Sequence, residues 1–345
     1  MLNNSDFEEW YSHMKACYFR EKDKEVGWMN VREERKRFDE NYESKEAVML
    51  KFYGVEGYDV YNCSVPFYWE GKHYIFGRVE RRVEWMRSWV RLFEEVGKDE
   101  WKIVPDFMIY QLEDPYISKV QKQFVLGGTH VKVKSGELDT YYGYFYKGTN
   151  LNDLYYFTTG PDYMKDIRLV ELADGKIGVF SRPRNEEIMR LYGCESMVGF
   201  AVINSLEELT EGVIEHAPYV EGLFEQGEWG GCNQAYLLED GNVGVIGHIS
   251  YIEQVDGREI SSYTNMSFVL DPKTRQVEDF KIIGTRSCYP EGPAKMPNLI
   301  DCAFTSGIVM RSDGLVDLYS GIGDCQEGRI VIPYPFEKHG PIVEK

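Results

Sequence analysis

The sequence predicts an all-β chain, a five-bladed β-propeller preceded by a helical extension, and three observations carry that expectation. A phrase made of a turn, a run of four to six apolar or aromatic residues and a closing polar group returns five times. It occupies residues 71–78 (GKHYIFGR), 122–129 (KQFVLGGT), 174–182 (DGKIGVFSR), 240–248 (DGNVGVIGH) and 313–321 (DGLVDLYSG). The copies lie roughly 50 to 75 residues apart, enough for one small sheet each, and a single such sheet cannot bury its face alone. The composition agrees: 25 tyrosines, 18 phenylalanines and 33 glycines suit many short strands joined by tight turns. Finally, residues 1–45 are dense in charge and nearly free of Gly and Pro, unlike everything that follows.

Taken in order, the first 45 residues carry Phe7, Trp10, Tyr11 and Met14 at spacings of three and four, the signature of an amphipathic helix or helix pair. This extension is expected to cap an edge or the bottom of the propeller, with a subunit contact in a homo-oligomer as the alternative. The propeller is expected to fill residues 46–345. Within it, residues 88–93 alternate, turn at Gly97, Lys98 and Asp99, and resume at Trp101, a hairpin suited to the outer strands of a blade. The spacing of Trp85, Trp89 and Leu92 also fits a helix, but the repeat favours a strand. Asp256 with Gly257, Asp271 with Pro272, and Glu291 with Gly292 mark later turns. The five apolar runs are expected to be the innermost strands, whose ends surround one funnel.

Composition excludes several classes. The 345 residues are 43% hydrophobic and can bury a substantial core. No segment approaches the roughly 20 apolar residues of a membrane span, and the amino terminus lacks a secretion signal, so a cytoplasmic setting without membrane association is expected. Seven cysteines without a CxxC pair fit reduced, buried thiols. A net charge of −18 argues against a nucleic-acid partner, although a few placed arginines can still hold a small anion. The cluster at residues 32–37 reads as a solvated face, and that at 78–91 as divided between surface and funnel. No spacing of His and acids forms a metal site, and no cofactor is expected.

Polar clusters precede the apolar runs, and a propeller would place them at the funnel: Asn62, Cys63 and Ser64; Glu113 and Asp114; Lys165, Asp166 and Arg168; Cys232, Asn233 and Gln234; Asn298 and Asp301. At the far ends stand Arg78 with Glu80, His130, Arg182, His248 and Asp324. Five distant acids, Glu80, Asp114, Asp166, Asp301 and Asp324, could therefore converge. Paired carboxylates beside arginine and histidine are what cleavage of a glycosidic bond requires. Asp174, Asp240 and Asp313, each next to a glycine, are instead expected to be turn formers, and Cys63, Cys232 and Cys302 small buried hydrophobes. Tyr61, Phe67, Tyr68, Trp69 and Trp229 could stack on sugar faces, though most are expected to pack.

The order of Gly77, Arg78, Val79 and Glu80, then Leu112 to Pro115, then Lys165 with Asp166, then Ser181 to Pro183, then Gly230 and Gly231 ahead of His248, and finally Leu318 to Asp324 resembles glycoside hydrolase family 130. The resemblance runs from about Tyr61 to Ile332. It is closer still to an uncharacterised relative, the domain-of-unknown-function family 1861, which shares the Gly-Arg-Val-Glu run. The resemblance implies a five-bladed propeller and cleavage of β-mannosides by phosphate or water. It further implies that Asp114 is the general acid, and that Arg78, Lys165, Arg182 and His248 line the sugar or phosphate subsite, with Asp324 an acid closing the fifth blade. The chain departs from the family at Tyr116, where an arginine usual beside the acid is missing, and at residues 167–170, which replace a Leu-Phe-Pro run.

The expectation is a cofactor-free enzyme that cleaves a small glycoside, with Asp114, Asp166 and Glu80 as catalytic acids and inorganic phosphate a candidate nucleophile. Asn62, Arg78, Glu113, Lys165, Arg168, Arg182, Asn233, His248, Asp301 and Asp324 are the expected substrate contacts. The alternative is a sugar-binding or sensing propeller without turnover.

Overall fold

The computed structural model describes residues 30–43 and 45–343. Helix α1 (Val31–Asn41) comes first; the Asn30 side chain caps it by accepting from the amides of Arg32 and Glu33. Strand β1 (Ala47–Met49) follows, then β2 (Lys51–Tyr53). Blade 1 is β3 (Asp59–Tyr61) and β4 (Phe67–Trp69), both paired with β5 (Lys72–Glu80), then β6 (Trp89–Gly97) and β7 (Glu100–Ile103), with β2 alongside β7. Blade 2 is β8 (Glu113–Val120), β9 (Gln123–Lys134), β10 (Glu137–Gly148) and β11 (Tyr155–Thr159). Blade 3 is β12 (Arg168–Glu171), β13 (Ile177–Ser181), β14 (Val198–Ile203) and β15 (Tyr219–Val220). Blade 4 is β16 (Glu228–Leu237), β17 (Val243–Val255), β18 (Arg258–Leu270) and β19 (Val277–Gly284). Blade 5 is β20 (Ala303–Met310), β21 (Leu315–Ile322), β22 (Gln326–Pro333) and, closing the ring, β1.

The five apolar phrases are therefore β5, β9, β13, β17 and β21, the second strand of each blade and not the innermost one. The reason is burial. A second strand has hydrogen-bonded neighbours on both edges and packed blades on both faces, so β13 is buried at every residue. Innermost strands border the central channel and accept polar residues. The expected convergence survives the correction because each inner pair is antiparallel: Tyr61 lies opposite Arg78, Glu113 opposite Thr129, Arg168 opposite Phe180, and Gly231 opposite His248. The start of one strand and the end of the next thus reach the same mouth.

Apolar side chains fill the seams between blades. Phe180, Phe200, Met266 and Phe268 pack blade 3 on blade 4, and Val60, Ile75, Phe93 and Tyr319 join blade 1 to blade 5. Asp174, Asp240 and Asp313 form turns as expected, each accepting from the amide two residues on, ahead of glycines with φ of +80°, +88° and +82°. Residues 89–97 are strand. The six described cysteines are buried. Among the described residues, no helix is long and apolar enough to cross a membrane.

Helix α1 packs on β19, with Val31 buried and Phe38 against the blade 4 and blade 5 cores. The 32–37 cluster is not simply solvated: Arg32 bonds the Ile252 carbonyl and covers the Tyr251 ring, while Arg35 bonds Asp301 and the Tyr251 hydroxyl. Phe7, Trp10, Tyr11 and Met14 lie outside the described residues.

Two carboxyls buried in this framework, Glu228 on β16 and Glu327 on β22, are each pushed up to about 7, first by burial. Their pH linkage has a definite sign. In the unfolded chain both are ionised by pH 6.5, whereas the folded protein keeps their protons until about pH 7, so the folded state binds more protons in that range. His248, which burial holds neutral, opposes this with one group against two, and its opposition fades as pH rises above its ordinary value. The urea midpoint is therefore expected to fall as pH rises from 6.5 to 8.5; a flat or rising midpoint would contradict the burial of these two groups.

Candidate active site

Four polar residues at the mouth occupy the left-handed backbone region: Asn62 (φ +45°), Asp114 (+47°), Asp166 (+57°) and Asp324 (+53°). Asn and Asp tolerate this region better than other side chains, but holding it requires surrounding bonds. Here those bonds form one network. The Asn62 side-chain amide donates to Asp114 Oδ1 at 2.9 Å and to Asp324 Oδ1 at 3.3 Å, bridging blades 1, 2 and 5.

Arg78 organises the acidic half. Its guanidinium donates to Asp114 Oδ1 (2.9 Å), Glu113 Oε1 (2.9 Å), Ser88 Oγ (2.8 Å) and Glu80 Oε2 (3.4 Å), and lies 4.7 Å from the Tyr61 ring centre. Glu80 is fully buried behind it and accepts from the Tyr61 hydroxyl (2.6 Å), the Arg87 amide (2.9 Å) and Lys295. Burial pushes the Asp114 carboxyl up, but Arg78 and then Lys165 outweigh it and hold Asp114 below the usual aspartate value. Burial dominates at Asp324 and Glu113, which are held above theirs. The mouth thus sets a carboxyl held down by cations, Asp114, beside two that burial holds up, Asp324 and Glu113.

The opposite wall is cationic. Arg182 bonds Asp166 Oδ2 at 2.5 Å, and Arg168 reaches Asp166 Oδ1 at 3.5 Å and the Asn233 carbonyl at 2.7 Å while covering Tyr116. Lys165 is less committed: its ammonium lies 3.9 Å from Asp114 Oδ2 and is partly exposed. His248 is completely buried, and its Nδ1 pairs with Asn233 Oδ1 at 2.7 Å. Burial and Arg182 lower its pKa to about 3, so the ring is neutral; with Nδ1 donating, Nε2 is an acceptor that has no partner among the described residues. Gly231 allows this arrangement, since a Cβ there would lie 3.0 Å from Arg182.

A pocket of about 140 Å³ opens between the two halves. Of the expected residues it is lined by Asn62, Arg78, Asp114, Lys165, Arg182 and Asp324, and of the aromatic candidates by Trp229. Glu80, Glu113, Asp166, Arg168, Asn233 and His248 stand behind these and orient them. Asp301 does not face the funnel as expected: Arg35 of α1 and Ser262 engage it from the other side. His130 is also set apart, bonded to the Gln111 carbonyl. Sequence reasoning missed Arg184 and Glu195, which pair at 3.0 Å on the pocket wall, and Tyr263, Leu299 and Phe304. It also missed Lys295, from a loop without a repeat signature. A larger cavity of about 680 Å³ opens among the distal ends of the inner strands, far from these charges, with Val65, Ile117, Leu169 and Ile308 in its wall.

The family model described as "Protein of unknown function (DUF1861)" matches residues 36–338. The chain belongs to the DUF1861 family. No curated protein matches this DUF1861 chain. Among solved structures it is similar to MPT-4, a mannose phosphorylase from Leishmania mexicana in complex with phosphate ion, at 52% identity over 91% of this chain and 96% of that one, with a TM-score of 0.87. It is also similar to MPT-1, a GDP-Man-dependent mannosyltransferase from the same organism, at 47% identity over 92% and 99% of the two chains, TM-score 0.85. A structure from the GH130 family of mannoside phosphorylases shares the fold, with 12% identity over 88% and 98% and a TM-score of 0.55.

Proposed function

We propose that this DUF1861 protein is a mannoside phosphorylase, transferring a mannosyl group reversibly between a small β-mannoside and inorganic phosphate. The observation that carries the reading is a wall of Lys165 and Arg182 facing Asp114 across a small pocket, in a chain 52% identical to a mannose phosphorylase that binds phosphate. The arrangement couples nucleophile to acid. The cations keep Asp114 ionised, which on its own suits no proton donor. A phosphate seated on Lys165 and Arg182 would cancel much of that field and raise Asp114 toward the protonated form. The acid would then be loaded only when the nucleophile is present, and water would be disfavoured as its replacement. His248, buried behind the pocket wall and neutral, would add no charge to the site and would hold Asn233 on the supporting layer. Arg182 and Lys165 supply the charge that Tyr116, in place of an arginine, does not.

A second reading, transfer from GDP-mannose, is favoured by the 47% identity to a transferase that uses this donor. The pocket argues against it: about 140 Å³ accommodates a phosphate and part of a sugar, well short of the roughly 300 Å³ or more of sites that enclose larger ligands. A cytoplasmic setting would retain the sugar phosphate within the cell. The deciding experiment incubates purified protein with β-manno-oligosaccharides with and without inorganic phosphate, and separately with GDP-mannose and acceptor. Mannose 1-phosphate formed only with phosphate supports the proposal. Free mannose in both arms indicates a hydrolase, extension from GDP-mannose a transferase, and sugar binding without products a sensor.

A further inference from the structure

We propose that Glu327 is a positioning residue for this site: from β22 it holds the peptide between Asn62 and Cys63, and through Asn62 it keeps Asp114 and Asp324 bridged. The inference deepens the phosphorylase reading and rests on it for its kinetic consequences. Glu327 is 1% exposed, yet no lysine or arginine is among its hydrogen-bond partners in the described residues. Its Oε2 accepts from the Cys63 amide at 3.1 Å, and its Oε1 from Ser306 Oγ at 2.8 Å. A carboxylate buried without a cation is costly, and a neutral side chain could fill the space. What the charge adds is a stronger hold on the backbone here, above all on the amide of the residue following the left-handed Asn62.

The neighbouring strand is shaped for the same purpose. A Cβ on Gly321 of β21 would come within 1.8 Å of Asn62 Oδ1, so only glycine leaves room for the side chain in its bridging orientation. Blade 5 thus makes space for Asn62 from one strand and anchors its peptide from the next. The titratable groups that face Glu327 are the Cys63 thiol and the Tyr289 phenol, both pushed up by burial first, so neither ionises near neutrality. Arg78 and Arg329 are committed elsewhere, Arg78 to Glu113 and Asp114, and Arg329 to Glu46, Asp99 and Asp317. Glu327 itself, at about 7, is the group that changes charge there, and the ionised form grips the amide. Turnover is therefore expected to decline as pH falls below about 7.

The test combines kinetics with a readout independent of turnover. Glu327→Gln is expected to lower kcat about tenfold, leave KM for phosphate and sugar within about twofold, and abolish the inflection near pH 7. Ser306→Ala, which removes one donor to the carboxylate, should move that inflection upward. In protein labelled with 15N-cysteine, the Cys63 amide resonance should titrate with the same midpoint in the wild type and not in Glu327→Gln. A wild-type kcat and pH profile in Glu327→Gln would overturn the proposal, as would a Cys63 amide insensitive to pH in the wild type. Should the Gln variant not fold, an unchanged inflection in Ser306→Ala has the same force. Absence of phosphate-dependent turnover in the wild type would defeat the phosphorylase reading, and the Cys63 titration, with Ser306→Ala beside it, would then decide the placement of Glu327 alone.

Discussion

Asp114→Asn is expected to lower kcat by about 10³-fold or more while leaving the fold intact and anion binding undiminished. An asparagine keeps the oxygen that accepts from Asn62 and Arg78, both on Oδ1, so the bridge between blades persists. What disappears is the group able to take and give a proton. Binding should tighten slightly, because one negative charge leaves the edge of a pocket whose cations, Lys165 and Arg182, are unchanged. Asp324 is held up in part by the Asp114 charge and should ionise more readily in the variant, so it cannot serve as a substitute acid. Turnover under phosphate-saturated conditions and calorimetric titration of phosphate measure the two halves. A kcat within tenfold of wild type would remove Asp114 from the chemistry. A lost phosphate affinity would instead make it a binding residue, as a sensing propeller would use it.

Much of this arrangement was legible in the sequence, for a physical reason. Repetition is imposed by blade geometry, so the five phrases reported the blade number even though they mark the second strands. Asn62, Asp114, Asp166 and Asp324 stood next to strand ends, where the chain must change direction. Polar residues are retained there only if something holds them. What could not be read were contacts between residues with no shared pattern. Lys295 reaches Glu80 from a loop 215 positions away, and Arg35 draws Asp301 toward α1 across 266. The partition between pocket wall and supporting layer was equally hidden, since Glu80 and Glu113 have the same local alternation as residues that line the cleft. Glu327 carries no motif at all, and only its buried position beside Cys63 distinguishes it.

Arg78→Met should show how strongly the acidic half depends on one cation. Arg78 is 7% exposed and its guanidinium is the common partner of Glu113, Asp114 and Glu80. Methionine preserves much of the bulk but leaves those carboxylates buried, with Lys295 still serving Glu80 and Lys165, at 3.9 Å, remaining near Asp114. Breaking a buried pair from one side typically costs about 3–5 kcal/mol, and a comparable loss is expected here at pH 8. At pH 5.5 the loss should be smaller. Without Arg78 the folded-state pKa values of Asp114 and Glu113 rise, so the variant relieves its burden by taking up protons as pH falls. Arg78→Lys should recover only part of the stability, because one ammonium cannot meet Ser88, Glu113 and Asp114 together in the geometry of a planar fork. Urea denaturation of the three proteins at the two pH values measures this directly. A destabilisation that is the same at both would mean that packing on Tyr61, and not charge, is what Arg78 contributes.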